Sequence, residues 1–190
     1  LQHYETVVIG GGQAGLATGY YLKQNDRSFV ILDASTRVGD SWRNRWDSLK
    51  LYSPARRDAL PGMAFPAPRT AYPTKDEMAD YLEAYAARFG LPVRNGVRVD
   101  GVAREGGRYV VTAGDERIEA DHVVIAAGAH RTPRLPAFAS DLDPQIVQLH
   151  SSEYRGPAQL REGGVLVVGA GNSGAEIAHE LVRGRATWLS

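Results

Sequence analysis

The chain has 190 residues, 43% of them hydrophobic and 23% charged, and its 22 basic side chains balance its 22 acidic ones. Such a length and composition suit a globular protein with a real core, and the charge balance excludes a bulk field that would recruit nucleic acid or an anionic membrane. Cysteine is absent, so these residues carry no disulfide framework, thiolate metal site or dithiol redox centre.

No apolar run has the length that spans a bilayer, and the first residues enter a strand-like segment where a signal peptide would need a longer apolar region. A cytoplasmic location is expected, and Leu rather than Met at position 1 points to a trimmed or processed start. "TVVIG" at residues 6–10 is a short β-branched run ending in glycine, the pattern of a buried parallel strand. Residues 14–24 read as a helix with Leu16, Tyr20 and Tyr21 inward, and "SFVILDA" as a second buried strand ending at Asp33. Together they make a βαβ unit. Residues 35–69 break the pattern with glycines, prolines and the aromatics Trp42, Trp46 and Tyr52, an irregular stretch of a length that is often functional. "TKDE" is a capping box that opens a helix carrying Met78, Tyr81, Leu82, Tyr85 and Phe89 at helical spacing, closed by Gly90 and Pro92. "GVRVDGVARE", "RYVVTAG" and "ERIEAD", joined by glycine turns, predict an antiparallel meander. "HVVIAAG" predicts a further buried strand ending at Gly128, and "TPRLP" a loop. Residues 165–168, a glycine turn, a helix over 175–182 and "ATWLS" begin a second βαβ unit.

The two turns carry the chemistry. Gly10, Gly12 and Gly15 form G-x-G-x-x-G: the first glycine makes the tight turn, the second admits a pyrophosphate, and the third lets helix and strand pack closely. Gln13 and Ala14 lie at the helix start, where free N–H groups and the helix dipole favour phosphate. Asp33 follows Gly15 by 18 positions, near the spacing of about 20 at which an acid binds a ribose hydroxyl; the alternative is a solvated strand end. Gly169, Gly171 and Gly174, with Asn172 and Ser173, repeat the device, either as a second phosphate site or as a turn kept for packing. Two dinucleotide sites on one chain point to electron transfer between two cofactors.

These motifs resemble the flavin-containing monooxygenase superfamily, bacterial FAD/NAD(P)-binding oxidoreductases included, over that family's N-terminal portion. "RVGDSW" resembles its R-x-G-G-x-W segment through Arg37, Gly39 and Trp42, with Asp40 at the second glycine and Arg43 following. "VVIAAGAHRTPRLP" resembles its A-T-G-x-x-x-x-P-x-x-P strand and loop, with Ala127 for Thr, and "LHSSEYRG" the end of its F-x-G-x-x-x-H-x-x-x-Y fingerprint through His150 and Tyr154. Pro144 and Ile146 stand where the fingerprint has Phe and Gly.

The resemblance implies that Gly10, Gly12, Gly15 and Asp33 hold the ADP half of FAD, with Gly39, Trp42, Arg43 and Gly128 completing that site. It implies that Gly169 to Gly174 take NADP or NAD, and that His150 links the domains and orders the nicotinamide cofactor. His150 is otherwise a linker histidine. Tyr52 stands where many members place an Asn over the flavin, a departure that weakens oxygenation; it is otherwise an aromatic packed under a loop.

The expected architecture is therefore α/β: a Rossmann-like FAD-binding domain with an antiparallel meander over residues 1–156, incomplete at its C-terminal return, then the truncated start of a Rossmann-like NAD(P)-binding domain over 157–190. The expected function is FAD-dependent oxidation of NAD(P)H with transfer of oxygen from O2 to a small-molecule substrate. Alternatives are a flavin-dependent reductase without oxygenation, or an inactive nucleotide-binding fragment of a longer enzyme. Exposed strand edges of a truncated second domain would favour association, a homo-oligomer included. No metal ligand set and no acid or base for the chemistry is named by the sequence.

Overall fold

The computed structural model describes residues 2–128 and 133–190. Residues 129–132, which fall in the loop expected after "HVVIAAG", lie outside them. The chain divides into two compact units, Leu1–Arg43 with Leu51–Arg131, and Asn44–Lys50 with Thr132–Ser190.

In the first unit β1 (Gln2–Ile9), α1 (Gln13–Gln24) and β2 (Phe29–Leu32) form the expected βαβ unit, with Val8 paired to Ile31 in parallel register. The alternation along these strands buries both faces of the sheet. Val8, Phe29 and Ile31 join Leu16 of α1 and Met78, Tyr81, Leu82 and Tyr85 of the helix α3 (Lys75–Arg88) in one cluster. Val7, Ile9, Val30 and Leu32 meet Val111, Ile118 and Ala120 in the other. Between β2 and α3 the chain is irregular, as expected, apart from the four-residue helix α2 (Asp40–Arg43) and a 3-10 turn at Ala55–Arg57. The capping box is formed: Glu77 N–H donates to the Thr74 hydroxyl, and the Glu77 carboxylate accepts from Thr74 N–H.

The sheet runs β3-β2-β1-β6-β5-β4. β3 (Val93–Arg94), β2, β1 and β6 (Glu116–Ile125) are parallel, while β4 (Gly101–Glu105), β5 (Arg108–Ala113) and β6 form the antiparallel meander. Four expectations are corrected. "ERIEAD" and "HVVI" are one strand, β6, because it pairs with β1 along nearly all its length but with β5 only as far as Ala120. Beyond Ala120 it is not buried: Val123 and Val124 are half-covered and Ile125 is 67% exposed. Residues 97–100 are not strand, although Val97 and Val99 pack on the second cluster. Tyr21 faces outward, 57% exposed, because α1 lies so close to the sheet that its inner positions are Gly15, Leu16 and Gly19.

In the second unit β7 (Val165–Val167) and β8 (Thr187–Leu189) are parallel and joined through α4 (Asn172–Leu181), which buries Ile177 and Leu181. The helix begins at Asn172 rather than at 175, because Gly171 is already its N-cap. Trp46, Leu49 and Tyr154 are buried in this unit.

Candidate dinucleotide sites

The first glycine turn sits at the carboxyl ends of β1, β2 and β6, where open parallel sheets bind their ligands. Gly10 has φ +111°, and a Cβ there would lie 2.3 Å from the Ala126 carbonyl oxygen, just past the end of β6. Its N–H donates to Leu32 O, and Ala126 N–H donates to Ile9 O, so the turn is tied to both neighbouring strands. Gly15 faces inward: a Cβ would stand 1.8 Å from Gly10 O. At Gly12 the opposite holds. It is the N-cap of α1, a Cβ there would meet nothing within 4 Å, no side chain caps the helix, and no acidic residue lies in its first turn. The helix start at Gln13 and Ala14 thus has no side-chain cap beside an open Gly12, an arrangement chemically suited to an anion such as a diphosphate.

Asp33 stands beside this turn, half-buried. One carboxylate oxygen accepts from Gly11 N–H, and the other accepts from Ser35 N–H at 2.7 Å. Gly11 and Ser35 are the residues that sequence reasoning passed over; the middle glycine of the "GGG" run was the available signal.

Gly39, with φ +91°, packs on α3, where a Cβ would be 2.5 Å from Ala79 O. Trp42 is half-buried against the first core cluster. The Arg43 guanidinium, 18% exposed, donates to Val38 O, Asp80 and Glu83 at 2.6, 2.9 and 3.0 Å, and Arg37 grips Glu83 through two hydrogen bonds at 2.7 and 2.5 Å. The Arg37 hydrogen bonds, with Arg43 adding, hold the Glu83 carboxyl below its ordinary pKa. Asp40, in place of a glycine, accepts from Arg37 N–H and from the Thr36 hydroxyl at 3.0 Å each. These bonds brace the α2 segment on α3. Gly128 follows β6 at φ +76° with open space at its Cβ position. Tyr52 is 60% exposed, so it is not an aromatic packed under a loop.

The second turn copies the first. Gly169 has φ +102°, its N–H donates to Ser190 O, and a Cβ at Gly174 would stand 1.8 Å from Gly169 O and 3.5 Å from Val167, as one at Gly15 would from Gly10 O and Val8. Gly171 is an open N-cap, and Asn172 and Ser173 start α4 with no acidic residue in the first turn. In the same unit Tyr154 donates to Glu180 of α4 at 2.6 Å, and burial first, then that carboxylate, pushes the phenol above the ordinary tyrosine range. His150 turns inward on its own loop: its Nδ1 accepts from Ser152 N–H at 3.2 Å, and its backbone N–H donates to Glu153 at 2.9 Å. Among the described residues no helix is long and apolar enough to cross a membrane.

Comparison with known proteins agrees with this geometry. The family described as "Pyridine nucleotide-disulphide oxidoreductase" matches residues 7–188. The chain is 49% identical over 191 residues to the uncharacterized oxidoreductase CzcO-like of Geobacillus kaustophilus, covering 100% of this chain and 55% of that protein. It is 36% identical over 181 residues to the indole-3-pyruvate monooxygenase YUCCA1 of Oryza sativa subsp. japonica, covering 93% and 45%. The solved structure of the flavin-containing monooxygenase from Stenotrophomonas maltophilia superposes with a TM-score of 0.89 at 37% identity, over 100% of this chain and 58% of that one. The chain spans about half the length of the curated relatives it matches. With two glycine turns of matching geometry, and with a likeness to a flavin-containing monooxygenase that runs along its whole length, the chain belongs to the pyridine nucleotide-disulphide oxidoreductase family.

Proposed function

We propose that the chain is part of an FAD-dependent, NAD(P)H-oxidising oxidoreductase of the flavin monooxygenase type, which oxygenates a small molecule. The observation that carries this reading is the duplicated turn: two open helix N-termini, each behind a left-handed glycine and a glycine that closes helix on strand. The named relatives support the same direction.

Residues 1–156 would supply the FAD-binding part. Gly10, Gly12, Gln13, Ala14 and Gly15 would hold the diphosphate, and Asp33 the adenosine ribose. Gly39, Trp42, Arg43 and Gly128 would form the adjoining wall. Residues 157–190 would begin the NAD(P)-binding part, with Gly169, Gly171, Asn172, Ser173 and Gly174 at its diphosphate. The residues present fit FAD: the cradle at Gly12 is open, and Asp33, with two N–H partners, retains acceptor capacity for a ribose. FAD held there would supply the redox chemistry between NAD(P)H and O2. The protein's share is to bind and orient both nucleotides, with donors fixed on rigid strands and helices.

The exposed Tyr52, in place of the Asn that the resemblance led one to expect, favours a second reading, a flavin reductase that does not oxygenate. The visible absorption of the purified chain after incubation with FAD and removal of excess tests the shared part, and a colourless, folded chain refutes it. Consumption of NADPH with matching oxygen incorporation into product separates the two readings.

A further inference from the structure

The irregular stretch between β2 and α3 carries a surface that neither glycine turn uses. Residues 51–73 hold three arginines, Arg56, Arg57 and Arg69, against one acid, Asp58, although the chain as a whole is neutral. Asp58 does not offset them at the surface: it is 8% exposed, and its carboxylate accepts from the Ser53 hydroxyl. All three arginines are exposed, and among the described residues none has a carboxylate within ion-pair distance. Elsewhere in the same unit the fold supplies such partners: Arg27 pairs with Glu5, Arg37 with Glu83, Arg94 with Glu116 and Arg117 with Glu105. A single unpaired surface arginine is ordinary. Three gathered together repel one another, and the fold has to hold them in place.

The backbone does so. Leu51 N–H donates to Pro73 O at 2.8 Å, Ala55 N–H to Ala71 O at 2.8 Å and Arg56 N–H to Arg69 O at 3.2 Å, so residues 51–56 and 69–73 lie side by side in opposite directions. Leu51, Ala55 and Pro73 are buried, while Tyr52, Arg56, Arg57, Arg69 and Tyr72 are exposed. Between the two runs the chain is pinned to α3. Tyr81 accepts from Leu60 N–H at 2.6 Å and donates to Met63 O at 2.7 Å, and Tyr85 donates to Pro61 O at 2.7 Å. The arginines thus stand on a fixed shelf, where binding requires little ordering of the backbone.

We propose that this shelf is a docking surface for an acidic, extended segment of a partner protein. Guanidinium forks match carboxylates, and arginine and tyrosine are enriched at the energetic centres of protein interfaces. With Tyr52 60% and Tyr72 55% exposed the shelf is open, whereas small-molecule sites enclose most of their ligand. Three arginines fall short of the roughly six to ten phosphate contacts of strongly salt-dependent nucleic-acid binders.

The test follows the fluorescence anisotropy of a labelled octaglutamate peptide titrated with the whole chain at low ionic strength. The peptide binds, and Arg56→Gln/Arg57→Gln/Arg69→Gln weakens it about tenfold, the product of three exposed ion pairs. Arg98→Gln/Arg104→Gln/Arg108→Gln removes the same charge from the meander and changes the affinity by less than about twofold. Thermal melting of both triple variants verifies their fold. No binding by the unsubstituted chain overturns the proposal, as does a loss that is absent in the first variant or equal in the two. Tighter binding of a labelled octathymidylate, lost in the first variant, assigns the shelf to nucleic acid and overturns it. Dimerisation of the chain that the first variant abolishes, seen by sedimentation, assigns it to a second copy and overturns it too.

Discussion

Gly15 and Gly12 are three residues apart in the same turn, and substituting them should have opposite consequences. Alanine at 15 puts its Cβ 1.8 Å from Gly10 O, and real Cβ atoms come no nearer than 3.0 Å, so α1 must withdraw from β1 by about 1.2 Å. The helix has little freedom to do so. Leu16 is fully buried beside it, and at Gly19 a Cβ would already meet Ile31 at 2.8 Å, so both ends of the interface are tight. Withdrawal opens the core around Leu16 as it relieves the clash. Gly15→Ala should therefore cost about 3 kcal/mol, the upper end of over-packing penalties. Gly12→Ser meets open space, suits the extended backbone at φ −83°, ψ −169°, and places a better N-cap residue at the helix start. Its stability should equal or exceed that of the unsubstituted chain, while its hydroxyl competes for the N–H groups a phosphate would use, and FAD retention should fall. Urea unfolding followed by circular dichroism gives the stabilities, and the retained flavin band gives the binding. A Gly15→Ala change below about 0.5 kcal/mol, the usual range of inconsequential surface substitutions, would refute the packing argument; full FAD retention by Gly12→Ser would refute the assignment of the cradle.

Three further outcomes are expected. Tyr85→Phe leaves Pro61 O without its 2.7 Å donor and should cost about 1 kcal/mol at neutral pH. Burial first, and neighbouring tyrosines second, hold the Tyr85 pKa above its ordinary value, so its contribution is whole below pH about 10 and is lost as pH rises beyond; the decline, about 1.4 kcal/mol per pH unit per tyrosine, should be shallower in Tyr85→Phe when melting is followed against pH. Glu83 has the opposite sign. Its pKa is lowered chiefly by the Arg37 hydrogen bonds, so its stabilisation is present above the unfolded carboxyl pKa and is lost as pH falls, and Glu83→Gln should flatten the acid limb of stability between about pH 5 and 3. Thr74→Ala removes the hydroxyl half of the α3 capping box and should cost about 1 kcal/mol in urea unfolding, with no effect on retained flavin.

The first βαβ unit, the capped helix and the meander were legible because each rests on local chemistry: glycine at a turn, Thr-x-x-Glu before an apolar stripe, alternation on paired strands. β6 was not, because its character changes part-way. Ile118 and Ala120 alternate inward between two partners, whereas Val123 to Ile125 have lost β5 and keep only β1 on that side, so an apolar run that reads as buried is half-exposed. β3 has two residues, too few for any periodicity. At the site the glycines announced both turns, yet the grip of Gly11 and Ser35 on Asp33 depends on β2 ending beside β1, a pairing that no spacing along the chain encodes. Arg43 is a similar case. Its partners Asp80 and Glu83 belong to a helix that begins more than thirty residues later.

The placement of Asn44–Lys50 with the second unit has a practical consequence for anyone who would take the protein apart. The polypeptide passes between the units three times, after Arg43, after Lys50 and after Arg131. A single cut cannot release either unit whole. Expression of residues 1–131 alone would separate Trp46 and Leu49, both buried, from the rest of their unit, and apolar side chains uncovered in this way favour association. Chimaeras that exchange the two units between relatives should therefore move residues 44–50 together with the segment from 132 onward, even though residues 51–131 lie between them in the sequence.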